Sequence, residues 1–265
     1  MTIQEFYDAL HTRIPPSLSC PWDNDGIAVC PDLGARVTGV VVALDLTHTV
    51  LQKALESGSN VILTHHPLLF HGVKAVVADP LDPTPQKIIT LIQKGITAMA
   101  FHTRLDTLTG GVNDTLADLL GLENVIPFGD NDNPAGEAMG RMGTLPTPMS
   151  MQDFAQLVKA RLQTGSVTVV DNGRPIQRVA LLGGSGGDEL YTAYAQGADV
   201  LVTGEAKHHQ LCHAMDMGMG LVVAGHDRTE HPVCSVLALM ASEICTQMGE
   251  ILPVTMVSNT QIQTI

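Results

Sequence analysis

Short runs of consecutive apolar residues alternate along this chain with stretches where apolar positions recur every three or four residues. Val40-Val41-Val42-Ala43-Leu44 is such a run, and a helical spacing follows it over 47–56. Val61-Ile62-Leu63-Thr64 is the next run. A second helical stretch at 85–94 precedes a strand-like run at 96–101, and a third is expected over 112–120, where Val112, Leu116, Leu119 and Leu120 share a face. Uninterrupted apolar runs suit strands buried on both faces. Alternation with amphipathic helices suits the crossovers that parallel strands need, so the pattern predicts an α/β fold with mostly parallel core strands.

The second half repeats the first. TIQEF at 2–6 corresponds to SMQDF at 150–154, each opening a helix. Gly58-Ser59-Asn60-Val61-Ile62-Leu63-Thr64 matches Gly197-Ala198-Asp199-Val200-Leu201-Val202-Thr203, and the segment 95–102 resembles 218–226 with one residue inserted. Because the matches keep their order, the chain reads as a duplication. The expected division is a first α/β repeat at 1–125, a connecting segment at 126–148 and a second repeat at 149–265. The connection holds a Gly/Pro/Asp-rich stretch at 129–134 and a strand near 141–145.

Composition narrows the function classes. Of 265 residues 45% are hydrophobic and 15% charged, which suits a packed core built, with aromatics at only 3%, from aliphatic side chains. The net charge of −13 repels polyanions, so direct nucleic-acid binding and anionic membrane surfaces are disfavoured. A small phosphorylated substrate remains compatible, since a metal ion can supply local positive charge. The five cysteines form no CxxC and are odd in number, which argues against a disulfide framework or a cysteine zinc site. The N-terminal residues do not read as a signal peptide, and no apolar run approaches the roughly 18 residues of a membrane span. The expectation is a cytoplasmic protein without membrane partners.

The chemistry gathers where strands end, the position at which parallel sheets bind ligands. The run 61–64 ends in His65-His66, and its repeat partner ends in Gly204-Glu205. The run 96–101 ends in His102 with Asp106 four residues on. Its partner ends in His226 with Glu230 at the same spacing. Imidazole and carboxylate together are the ligand chemistry of Zn, Mn, Fe or Co, and carboxylates can bridge paired ions. One histidine–carboxylate spacing alone is an ordinary solvated loop. Two in duplicated positions, beside a His-His pair, specify more.

These segments carry a resemblance. THHPLLF at 64–70, HTRLDTLTGGVNDTLADLLGL at 102–122, GADVLVTGEAKHH at 197–209 and AGHDRTE at 224–230 resemble the Nif-three-like dinuclear metal-centre family, whose members are named GTP cyclohydrolase I type 2. PWDNDGIAV at 21–29 and RVALLGGSGG at 178–187 extend it almost end to end. The resemblance implies two intertwined α/β repeats with mixed, mostly parallel sheets and a dinuclear metal cleft between them. It also implies a cytoplasmic, toroidal homohexamer. Its metal ligands fall on His65, His66, Asp106, His226 and Glu230, holding a pair of divalent ions (Zn, Mn, Fe or Co) per subunit. The implied reaction is hydrolytic: metal-activated water opens the imidazole ring of a guanine nucleotide and releases formate. His102, Glu205 and His209 are candidates to move protons, with His102 beside the ligands. Glu230 is expected to bridge the ions, so that Glu230→Gln loses metal while His102→Ala keeps most of it. Relatives often have an aromatic after the Gly-His, where this chain has Asp227. The alternative to an enzyme is a non-enzymatic protein for metal storage or delivery, or a scaffold.

Two further features stand out. Gly183-Gly184-Ser185-Gly186-Gly187 after the strand 178–182 either turns tightly or offers backbone N–H groups to an anion, although it matches neither common nucleotide loop. Lys207-His208-His209 opens the helix after Glu205, as a substrate contact or a polar helix face. Asp45, at the end of the first run, is expected to position the site or to cap the next helix.

Overall fold

The chain closes its helices with the local chemistry its sequence supplies. Thr2 caps the first helix in a reciprocal box with Glu5, and Ser150 caps the matching helix of the second half by accepting from the Asp153 amide. The computed structural model describes residues 1–129 and 131–258; Asp130, in the expected connection, lies outside them.

In chain order, helix α1 (Ile3–Arg13) precedes strands β1 (Gly26–Val29) and β2 (Val40–Ala43), then helix α2 (His48–Ser57), β3 (Val61–Thr64), α3 (Pro83–Lys94) and β4 (Thr97–Ala100). A short helix α4 (Thr103–Thr107) leads to α5 (Val112–Leu120), β5 (Glu123–Phe128) and β6 (Gly140–Met149). Next come α6 (Met151–Leu162), β7 (Thr168–Val170), β8 (Ile176–Leu182), α7 (Leu190–Ala195), β9 (Val200–Thr203), α8 (His208–Met217) and β10 (Gly220–Val223). The last elements are α9 (His226–Glu230), α10 (Val233–Gln247) and β11 (Val254–Met256).

The described residues form two mixed sheets. One runs β1-β4-β3-β2-β11, parallel from β4 through β11 with β1 antiparallel at its edge. The other runs β5-β6-β8-β9-β10-β7, parallel across β8, β9 and β10. Strands β2, β3, β4 and β9 are buried along their whole length, as their unbroken apolar runs require. The first sheet packs Val41, Ile62 and Ala98 against Val50, Leu51 and Ala54 of α2 and Ile88 and Leu91 of α3. The second packs Val179, Leu181, Val200, Val202 and Val222 with Leu116 and Leu120 of α5 and Phe154 and Val158 of α6.

The compact units are not cut where the sequence repeats are. Among the described residues one comprises Met1–Leu105 and 233–258; the other is Asp106–Pro232. Each repeat therefore gives its last helix and strand away. The first repeat's α5 and β5 belong to the second unit. The second repeat's α10 and β11 belong to the first, where Val254 pairs with Val40 in parallel. The chain crosses over at α4 and again just after α9, the two short helical turns that end the histidine–carboxylate segments.

The helical stretch after β10 is in two pieces: Glu230 ends α9, and α10 begins at Val233. Pro232 lacks the N–H needed to continue the helical ladder, so the helix stops and restarts. His226 opens α9, three residues beyond the end of β10 at Val223.

Candidate metal centre

In the first unit the strand register sets the geometry. Thr64 of β3 pairs with Ala100 of β4, so the residues that follow leave the sheet side by side. His65 is completely buried, and its Nδ1 donates to the Phe101 carbonyl at 3.0 Å. His66 Nδ1 meets the Asp45 carboxylate at 2.8 Å, and His102 Nδ1 meets Asp23 at 3.0 Å. A carbonyl or ionised carboxylate only accepts, so each ring carries a proton on Nδ1. Such anchoring orients imidazoles that ligate metals. The ring centroids lie 4.8, 5.2 and 5.6 Å apart, and one donor nitrogen from each histidine lies within 4.8 Å of the others. This trio is a group able to hold a metal ion. His102, expected beside the ligands, stands among the donors.

Behind the trio is an acidic pair that the sequence did not single out. Asp23 accepts from His102 and from both the amide and hydroxyl of Thr103. Burial by itself raises its pKa, but the hydrogen bonds from His102 and Thr103 prevail and hold it at about 2. Asp25 takes both fork nitrogens of Arg104 at 2.6 Å, and the guanidinium carbon sits 4.8 Å from the Phe101 ring centre. The two carboxylates thus pin the turn that carries His102. Trp22 and Phe70, 64% and 48% exposed, stand edge-on to His102 with centroids 6.2 and 5.7 Å away.

In the second unit the corresponding strand ends hold His226, Glu230 and Glu205. His226 lies between two carboxylates, its Nδ1 at 3.1 Å from Glu205 and its Nε2 at 3.0 Å from Glu230. The Ser185 hydroxyl donates to Glu205 at 2.6 Å. That bond lowers the Glu205 carboxyl below its usual range, helped by His226 and against partial burial. Glu230 and Asp106 are 4% and 7% exposed. Carboxylate oxygens are ordinary ligands of divalent ions, so these positions suit one.

The glycine-rich loop serves this cluster. Three of its N–H groups are taken by the protein: Gly183 by Asn113 Oδ1 at 2.9 Å, Gly184 by Thr229 Oγ1 at 3.0 Å and Gly186 by Thr203 Oγ1 at 2.9 Å. Those three are not offered to an anion. Gly184 has φ +61°, and a Cβ there would lie 2.1 Å from Glu230 Oε1 and 3.2 Å from His226 Nε2. The absent side chain lets the His226–Glu230 pair approach the loop. Asn113, fully buried on α5, also binds the Asp106 carbonyl at 3.2 Å. It stands next to Val112 of the apolar face, where helical periodicity gives no sign of it.

The remaining candidates fall as follows. Asp45 positions His66, while Thr47 caps α2. Glu205 is joined to His226. His209 is exposed on α8, and its ring faces His213 at 5.7 Å. Asp227 meets its neighbour Arg228 at 3.4 Å.

Imidazole and carboxylate donors at these strand ends are thus His/Glu groups that fit a divalent metal. Known proteins carry the same architecture. A Clostridium perfringens protein named GTP cyclohydrolase 1 type 2 homolog is 32% identical over 88% of both chains. A Schizosaccharomyces pombe protein named Protein NIF3 homolog is 31% identical over 81% of this chain and 80% of its own. The crystal structure of a Staphylococcus aureus hypothetical protein superposes with a TM-score of 0.90 at 30% identity, covering 100% of this chain and 99% of that one. The model of the Duf34/NIF3 (NGG1p interacting factor 3) family matches residues 1–261, a span that takes in both sheets and both histidine–carboxylate turns, and the chain belongs to that family.

Proposed function

We propose that this chain is a metal-dependent hydrolase that holds a pair of divalent ions per subunit with His65, His66, Asp106, His226 and Glu230. We assign its reaction to the class named for its Clostridium relative: hydrolytic opening of the imidazole ring of a guanine nucleotide, with release of formate. The observation that carries the metal reading is the histidine trio, each ring held through Nδ1 and each offering a ring nitrogen within 4.8 Å of the others. Histidines that serve only packing have no need of three separate acceptors. A bound divalent ion supplies Lewis-acid activation of water.

The chain's own residues account for the rest. Asp45 and Asp23 fix His66 and His102, and His102 joins the donors. Glu205 holds His226 and, as an acceptor, can receive a proton within hydrogen-bond reach. His209 is the remaining candidate for proton transfer. Trp22 and Phe70 offer exposed aromatic surface beside His102, which suits a planar heterocycle. No helix among the described residues is long and apolar enough to cross a membrane. A cytoplasmic homohexamer completes the proposal, and light scattering of the full chain should return six times the 28.1 kDa subunit mass.

The deciding experiment incubates the chain, loaded in turn with Zn, Mn, Fe or Co, with GTP and measures formate and a pterin-type product. Formation of both with at least one metal is expected. Stable metal binding with no product under any of the four would overturn the enzymatic reading in favour of metal storage or delivery.

A further inference from the structure

Helix α8 carries a second cluster of side chains of metal-ligand type, one of which, His209, is also the candidate for proton transfer named above. His208, His209, Cys212 and His213 occupy two adjacent turns as two i, i+4 pairs, His208 with Cys212 and His209 with His213. Side chains four apart on a helix stand over one another, the spacing by which paired histidines grip zinc from a single helix. His208, His209 and His213 are exposed and Cys212 is half-buried.

Two geometric observations go beyond spacing. His208 Nε2 lies 3.6 Å from Cys212 Sγ. With Zn–N about 2.0 Å and Zn–S about 2.3 Å, the edge of a zinc tetrahedron between those atoms is about 3.5 Å. The pair therefore already stands at ligand-to-ligand distance. The second pair is held from behind: the Tyr191 hydroxyl of α7 meets His213 Nδ1 at 2.6 Å, which fixes the ring and directs Nε2 away from Tyr191. The His209 ring faces it at 5.7 Å.

We propose that α8 is a surface site for a borderline-soft divalent cation such as Zn2+, with His208 Nε2 and Cys212 Sγ as its primary ligands and His209 and His213 as the adjoining pair. Coordination converts the thiol to thiolate and releases its proton to solvent. The ligand set differs from that of the proposed hydrolytic centre by its sulfur, so the site stands or falls independently of that centre.

This difference supplies the test. The reduced full-length chain is titrated with Co2+ and scanned for thiolate-to-cobalt charge-transfer absorption, a signal that a histidine–carboxylate centre does not give. The band is expected to appear, to vanish on addition of Zn2+, and to be absent in Cys212→Ser. His208→Ala should weaken the apparent cobalt affinity tenfold or more. These surface substitutions should leave the circular dichroism spectrum unchanged. Absence of the band at millimolar cobalt, its survival in Cys212→Ser, or an unchanged affinity in His208→Ala would each overturn the assignment.

Discussion

His102 shows how much a site residue owes to partners far away in sequence. The pattern at strand ends makes the histidines visible, because His65-His66 and His102 follow apolar runs directly. It does not reveal Asp23 or Asn113, since an orienting residue need only reach its partner in space and obeys no spacing. Asp23 lies 79 positions from His102, and Asn113 lies 70 positions from Gly183. Nor does spacing show that the His102 ring stands with those of His65 and His66, in a group that could hold a metal ion. Two outcomes follow. His102→Ala should lose metal from the trio, contrary to the sequence-based expectation. Asp23→Asn should weaken zinc binding about ten- to a hundredfold, the usual effect of removing a partner that orients a ligand, while the fold persists. Calorimetric titration with Zn2+ measures both. Unchanged affinity in His102→Ala would return His102 to the periphery of the site.

At the level of elements, the apolar runs located β2, β3, β4 and β9 to within about a residue, because strands buried on both faces need unbroken hydrophobic sequence. The edge strands β1, β7 and β11 are three or four residues long and only partly buried, so no such run marks them. The break between α9 and α10 was legible in Pro232 but hidden by the apolar periodicity that continues past it. What fixes the short α4 turn is the Asp25–Arg104 pair, with side chains 5% and 3% exposed. Removing one member of a buried pair strands the other charge. Asp25→Ala should therefore cost about 3–5 kcal/mol of stability, whereas an exposed pair such as Arg13–Glu243 should contribute less than about 1 kcal/mol. Urea denaturation of Asp25→Ala and Glu243→Ala gives the comparison, and equal losses would show that Arg104 is solvated in solution.

For the whole molecule, the duplication was readable because both halves keep the same motifs in the same order. The exchange of terminal elements was not. A helix and a strand carry the same pattern whichever sheet they join, and nothing in 112–128 or 233–256 names its destination. The matching of Val254 to Val40 and of Leu116 and Leu120 to the second core becomes visible only in three dimensions. The exchange means that the first unit needs α10 and β11. A chain ending at Pro232 should keep the second unit's core yet leave the edge of β2 unpaired. It should accumulate as soluble aggregate, and adding the missing segment as a peptide should reduce that aggregation. Size-exclusion chromatography with and without the peptide is the measurement; a monodisperse truncated chain would mean that β2 is protected in some other way.

That crossover also sets an order of events during synthesis. A ribosome delivers Met1–Leu105 first, but the strand that borders β2 emerges almost last. Asp106–Pro232 is contiguous and can close as soon as it has cleared the exit tunnel. At about 5–20 residues per second, the first-made segment waits on the order of ten seconds or more for its final strand. Throughout that interval β2 presents an open apolar edge, the kind of surface on which nascent chains stick to one another. Residues 1–105 are thus translated before 106–232 yet completed after them, and the yield in a cell should depend on whatever shelters that edge in the interval.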